Sequence, residues 1–445
     1  MNKQSVGKQF ARYVSLNVLG TMGTSFYILA DTLFISAAAG ADGITALNLV
    51  LPVYSFIYAV GTMLGVGSAI RFSILRAQGN EDADSYFFRA VMWAFVLGAF
   101  FMLAGGFAPD KVMEIMGGDA GIVAVGRSYT RTFMLFAPFF MLNFIVSAFV
   151  RNDGDPSLAM AAVLTSSISN VFLDYLFMFP LGMGMMGAAL ATGLSPVIGA
   201  SVCSLHFLSR KNTLVFRPSR LSIGKLYEVC RLGIAGFVGE ISSGVTTAVF
   251  NFVILGLAGN VGVAAYGVVA NVSLVANAIF NGISNGSQPL VSSYYGEKEE
   301  KHLKQVLHLG IGTAFALAVL VLVIINLSAV WLTALFNSGH SASLAAYAHI
   351  GLRLYFTGFL FAGFNIIGIG YLGATAQSEW AFAASLMRGF VAIVAFAFLL
   401  PAFLGMTGIW LAFPAAELVT ACVTITGLRR KSASGSSSGG RMNLG

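Results

Sequence analysis

Residues 165–179, TSSISNVFLDYLFMF, set an amide and a carboxylic acid inside a segment otherwise apolar enough to cross a membrane. Ser166, Asn170 and Asp174 recur at every fourth position, so they share one helix face. An acid near the bilayer centre costs roughly 2.5–3.5 kcal/mol on insertion scales, so that face is expected to turn toward protein or a wet cavity.

The surroundings of this stretch fix the fold class. The 445 residues are 57% hydrophobic and 10% charged, and mean hydropathy is +0.82; a soluble domain is about a quarter charged. Twelve apolar stretches lie between charged punctuation, at about 14–38, 44–72, 86–108, 127–150, 156–179, 186–209, 226–257, 262–292, 304–330, 345–372, 380–402 and 408–428. The expected fold is therefore an all-α membrane protein of twelve transmembrane helices in two six-helix lobes. No charged leader with a cleavage signal precedes the first span, which is expected to serve as its own insertion signal.

The net charge of +7 sits in the loops, which marks topology rather than nucleic-acid binding. With the N-terminus inside, Lys3, Lys8, Arg12, Arg71, Arg76, Arg89, Arg151, the basic residues of 210–231, Lys298, Lys301, Lys304 and those of 429–431 fall on the cytoplasmic side. Lys111, Arg127, Arg131 and Arg353 fall outside. Both termini are thus expected in the cytoplasm.

The polar run SRKNTLVFRPSRLSIGKLYEVCR (209–231) divides the chain midway. The expected parts are an N-terminal lobe (1–208), a cytoplasmic linker (209–231), a C-terminal lobe (226–431) and a disordered Ser/Gly-rich tail (432–445). Aligning Gly79 with Gly296, an offset of 217, also carries Gly65 onto Gly282, so the halves read as a repeat. With six spans per half, a pseudo-twofold axis along the membrane normal and a substrate cleft between the lobes are expected.

Other polar side chains recur at helical spacing. Span 1 carries Asn17, Thr21, Thr24 and Asp31; span 7 carries Glu240, Ser243, Thr247 and Asn251; span 8 carries Asn277, Asn281, Ser284 and Gln288. Such faces line a cavity or a helix interface, and Glu240, Asn251, Asn277, Asn281 and Gln288 are read as candidate substrate or cavity contacts. Arg388 and Glu417 are either helix-end charges or partners of each other. Gly61, Gly65, Gly358, Gly363, Gly368 and Gly370 are read as packing positions. Cys203, Cys230 and Cys422 have no C-x-x-C spacing, and His206, His302, His308, His340 and His349 no metal-ligand spacing. No catalytic constellation, P-loop or cofactor motif is present.

Ordered strings along nearly the whole chain resemble the multidrug and toxic compound extrusion (MATE) family. They are ADTLFISAAAGADGITALNLVLPV, FVRNDGDPSLAM, SNVFLDYLFMFPLGMGMMGAALATG, GVAAYGVVANV, NGISNGSQPLVSSYYGEK and LGMTGIWLAFPAAELVT. Within that family the chain looks similar to the group with the DNA-damage-inducible and MepA-like bacterial transporters. The resemblance implies a monomeric inner-membrane antiporter that exports small organic, often cationic compounds as H⁺ or Na⁺ runs inward, with no other cofactor. It places the family's ion site on Asp31, Asn170, Asp174 and Thr192, which would also hold the metal ion if Na⁺ is coupled, and matches Glu240 to a span 7 acid of some members. Two neighbouring acids in a low-dielectric pocket resist joint ionisation, so an arriving cation would be held there. Two features depart from the family. Span 1 lacks the proline common near the position of Asn17, and span 10, LYFTGFLFAGFNIIGIGYLG, lacks the acid of the sodium-coupled branch. The rival readings are a flippase for a lipid-linked substrate, which would need a basic cavity, and a membrane-embedded enzyme using Asp174 and Glu240.

Overall fold

The structure is a computed structural model that describes residues 5–336 and 341–439. Lys3, His340 and the last part of the expected tail, 440–445, lie outside the described residues. All regular structure among the described residues is helical. Among the described residues nine helices are long and apolar enough to cross a membrane, and a tenth is the bent pair Ala120–Leu135 and Ala137–Asn152, turned by 45°. Two of the nine contain a glycine break, Gly259 in Ile223–Gly296 and Gly405 in Ser378–Arg430.

Divided at those breaks, the helices match the twelve expected spans one for one. They are α1 Val6–Gly40, α2 Thr45–Ala77, α3 Glu81–Phe107, α4 (the bent pair), α5 Pro156–Met178 and α6 Gly184–Leu208. In the second half they are α7 (223–258), α8 (260–296), α9 Glu300–Ala334, α10 Ala342–Ala374, α11 (378–404) and α12 (406–430).

The repeat is written in the backbone as well as in residue identities. Gly40 and Gly259 share φ near +60° and ψ near −155°, and Gly79 and Lys298 are both left-handed. Position 40 maps onto 259 and 79 onto 298, an offset of 219 in both cases. This corrects the 217 read from the glycines. Gly296 is helical and lies against the Ile74 backbone, while the left-handed position of the second turn is Lys298.

The turns close alike. Gly79 N donates to Arg76 O (3.0 Å) and Asn80 N to Leu75 O (2.9 Å); Lys298 N donates to Tyr295 O (3.2 Å) and Glu299 N to Tyr294 O (2.9 Å). Gly154 and Ala376 form the same closure. A left-handed alanine is strained, so Ala376→Gly is expected to stabilise by about 0.5–1 kcal/mol after the entropy of the added glycine is counted. A rise in melting temperature in detergent would show it, and a fall would count against strain at this turn.

Contacts divide the chain into two units, 11–241 with 292–299, and 1–10 with 242–291 and 300–445. The first half of α7 therefore packs in the first unit, whereas the expected division fell at 209–231. Two glycines bring this about, because Gly67 of α2 lies against the Val229 carbonyl and Gly233 of α7 against the Met63 carbonyl. The expected packing role of Gly61 and Gly65 holds, since both lie against the Met141–Ile145 backbone of α4.

The linker is shorter than expected, since α7 starts at Ile223 behind the Ser222 cap. Its first residues are fastened to the first unit. Asp153 accepts from the Thr213 amide (2.8 Å), pairs with Arg76 (3.1 Å) and meets the buried His206 ring (2.7 Å); Lys211 pairs with Asp155 (3.2 Å). Arg71 pairs with Glu228 at 2.7 Å. The helix of α12 continues to Gly439 where a disordered tail was expected, because the helical ladder propagates past Arg430 with no proline to interrupt it.

Candidate functional site

In α5, Asn170 and Asp174 are both 0% exposed and stand one turn apart on one face. Ser166, one turn earlier, spends its hydroxyl on the Ser195 carbonyl of α6 at 2.7 Å. That bond sets α5 against α6 and brings Thr192, itself buried, into the same layer. Asp31 of α1 lies next to Asp174. As carboxylates, neither can donate.

Six side-chain atoms here are buried without a hydrogen-bond partner among the described residues, five oxygens (Asp31 Oδ1, Asn170 Oδ1, both of Asp174 and Thr192 Oγ1) and the Asn170 Nδ2 amide nitrogen. Buried polar atoms are nearly always paired, and an orphaned one costs about 1–3 kcal/mol, so this cluster, which holds two carboxyl groups, is the candidate site of the first unit. No Lys or Arg pairs with either acid among the described residues. An all-oxygen set suits a proton or a hard monovalent ion. No group of three or more His, Cys, Asp or Glu side chains able to hold a metal ion occurs among the described residues.

The structure adds tyrosines that the sequence did not single out. Tyr129, on the first limb of α4, lies beside Thr192, and the charges of both acids act on it and on the Tyr27 phenol. Tyr27 and Tyr54 hydroxyls are 3.4 Å apart, and Tyr54 stacks on Tyr58 (4.2 Å) and Phe133 (5.1 Å). With 14 Tyr and 38 Phe in the chain, no spacing marks these four as different from packing aromatics.

The other sequence candidates divide. Of the α1 stripe, Asn17 accepts from Arg151 (2.9 Å), while Thr21 and Thr24 bond back to carbonyls of their own helix. Only Asp31 of that stripe belongs to the acid site. Glu240, Ser243, Thr247 and Asn281 are exposed midway along apolar helices, which fits a wet lining better than helix packing. Asn251 is half-buried, and so is Asn277, which bonds to the Ser273 carbonyl at 3.0 Å. Gln288 is buried. Arg388 and Glu417 pair with each other at 2.7 Å.

Comparison with known proteins agrees with this architecture. The MatE family profile matches residues 18–176 and 237–399, segments whose starts are again 219 apart. The chain is 25% identical over 422 residues to the multidrug export protein MepA of Staphylococcus saprophyticus, covering 94% of this chain and 92% of that one. A solved outward-facing multidrug resistance MATE family transporter of the MOP superfamily superposes with a TM-score of 0.91 at 24% identity, covering 97% of each chain. A MOP superfamily transporter from Pyrococcus furiosus, described as having a binding pocket of reverse polarity, gives a TM-score of 0.88 at 24% identity, also covering 97% of each chain. With most of its length matched and the twelve-helix, two-lobe fold shared, the chain belongs to the MatE family of multidrug and toxic compound extrusion transporters.

Proposed function

We propose that this chain exports small organic compounds, often cationic, across the bacterial inner membrane in exchange for H⁺ or Na⁺. In this reading Asp31, Asn170, Asp174 and Thr192 hold the coupling ion. The observation that carries it is the set of five unpartnered oxygens between α1, α5 and α6. A cation bound there removes the repulsion between two acids and favours the helix arrangement that brings them together. Exchange requires only that ion and substrate prefer different arrangements of the carrier. That the MepA relatives are multidrug export proteins supports the direction of transport.

Glu240, exposed midway along α7, offers a carboxylate to a cationic group, with Asn251, Asn277 and Asn281 as further polar contacts. The protein acts as a monomer with both termini in the cytoplasm and without a further cofactor, and its work is vectorial rather than catalytic. The test is dye export from proteoliposomes under a pH gradient and a Na⁺ gradient imposed separately. Acceleration by one of them is expected, and export indifferent to both would refute ion coupling.

A further inference from the structure

Among the described residues, the second unit holds an ion pair at mid-depth of its helices. Glu417 stands eleven positions into α12 and Arg388 ten positions into α11. The Glu417 side chain is 2% exposed and both its oxygens are taken: Oε1 accepts from Arg388 Nε (2.7 Å) and Oε2 from Asn365 Nδ2 (2.7 Å). Asn365 also donates to the Glu417 carbonyl (2.8 Å) and accepts from Thr424 (3.2 Å). The acid is sealed, saturated and out of reach of any ligand.

Arg388 is different. Its side chain is 23% exposed, and Nε makes its only hydrogen bond among the described residues. Neither Nη group has a hydrogen-bond partner among the described residues, and the side chain keeps about a quarter of its surface open. The residue sits in the π-helical turn Met387–Val391, and the next position, Gly389, lies against Ser242 of α7. A π turn inserted in an α-helix commonly marks a functional position, because it re-aims the side chains it carries. An accessible guanidinium at this depth is costly in lipid, so it faces a wet space.

We propose that Arg388 is an anion subsite within the second unit, receiving a carboxylate end-on through its two Nη groups. Glu417 is its positioning residue. By taking Nε, it fixes the plane of the fork and leaves the planar, two-donor edge that matches a carboxylate. The sign of selectivity follows from reach, since the positive partner of the pair is accessible and the negative one is buried. This subsite rests on the export reading and narrows its substrates to include organic compounds that carry a carboxylate, zwitterions among them.

The experiment compares a rhodamine bearing a free carboxylate with its methyl ester in proteoliposomes of the full chain, alongside tetraphenylphosphonium. The wild type is expected to take the acid with an apparent KM roughly tenfold below that of the ester. In R388Q/E417Q, where both charges are removed together and none is orphaned, the acid-to-ester ratio should collapse toward one. Arg388→Lys, which keeps the charge and loses the fork, should fall between them. Export of ester and phosphonium without preference for the acid would overturn the subsite alone, as would a double variant that still discriminates. Competition by a polyprenyl phosphate stronger than by the acid would overturn the carboxylate assignment. No export of any of the three would overturn the export reading beneath it.

Discussion

Asp174→Asn protein in liposomes is expected to show no acceleration of dye export under a pH or Na⁺ gradient, while its folded yield stays at the wild-type level. The reasoning is local. Asp174 is sealed, with both oxygens unpartnered and a second carboxylate facing it. Asparagine keeps the shape and removes one of the two charges, and its amide can donate to Asp31, so the substitution relieves the apo protein instead of straining it. The cation loses its reason to bind. This separates the prediction from simple damage, because a ligand at about 100 times its Kd stabilises a wild-type fold by about 2.7 kcal/mol. The wild type should therefore melt higher as the coupling ion is added, and the variant should melt at one temperature throughout. Ion-dependent melting that survives in Asp174→Asn would remove this residue from the ion site.

Gly233→Val is expected to be the most disruptive change outside the acids. A side chain at position 233 meets the Met63 carbonyl, and one at 67 meets the Val229 carbonyl, so in both cases backbone has to move. Overpacking of this kind costs about 1–3 kcal/mol. The two helices must part, and the half-buried Cys230, three residues from Gly233 on α7, reports it. In a Cys422→Ser background, where the exposed thiol is gone and Cys203 is buried, labelling of Cys230 by a membrane-impermeant maleimide should speed up. Dye export should fall in parallel. Unchanged labelling with normal export would mean that α2 and α7 need no such contact.

The spans could be read from the sequence because crossing a membrane demands long apolar runs, and charges between them have nowhere else to go. Asp31 and Asp174 stood out for the same reason, since burying a carboxylate is costly enough to require a purpose. Cheaper polar groups misled. Thr21 bonds to the Asn17 carbonyl at 3.0 Å and Thr24 to Gly20 at 3.3 Å, so a stripe of hydroxyls can be satisfied by its own helix. Tyr129 was hidden among aromatics whose membrane role is mostly packing. The register of the repeat was off by two because residue identity cannot tell the helical Gly296 from the left-handed position at Lys298.

That register also works as a design map. The first half has Gly79 and Gly154 at turns where the second has Lys298 and Ala376, so each half is a reference sequence for the other. Copying turn residues across offsets of 219 and 222 would give a more symmetric chain chosen by backbone geometry alone. The acid site has no counterpart to copy, since position 31 maps onto Phe250 and position 174 falls near Ile393 to Phe396. Symmetrising the turns would thus leave the acid pair confined to one half of the chain.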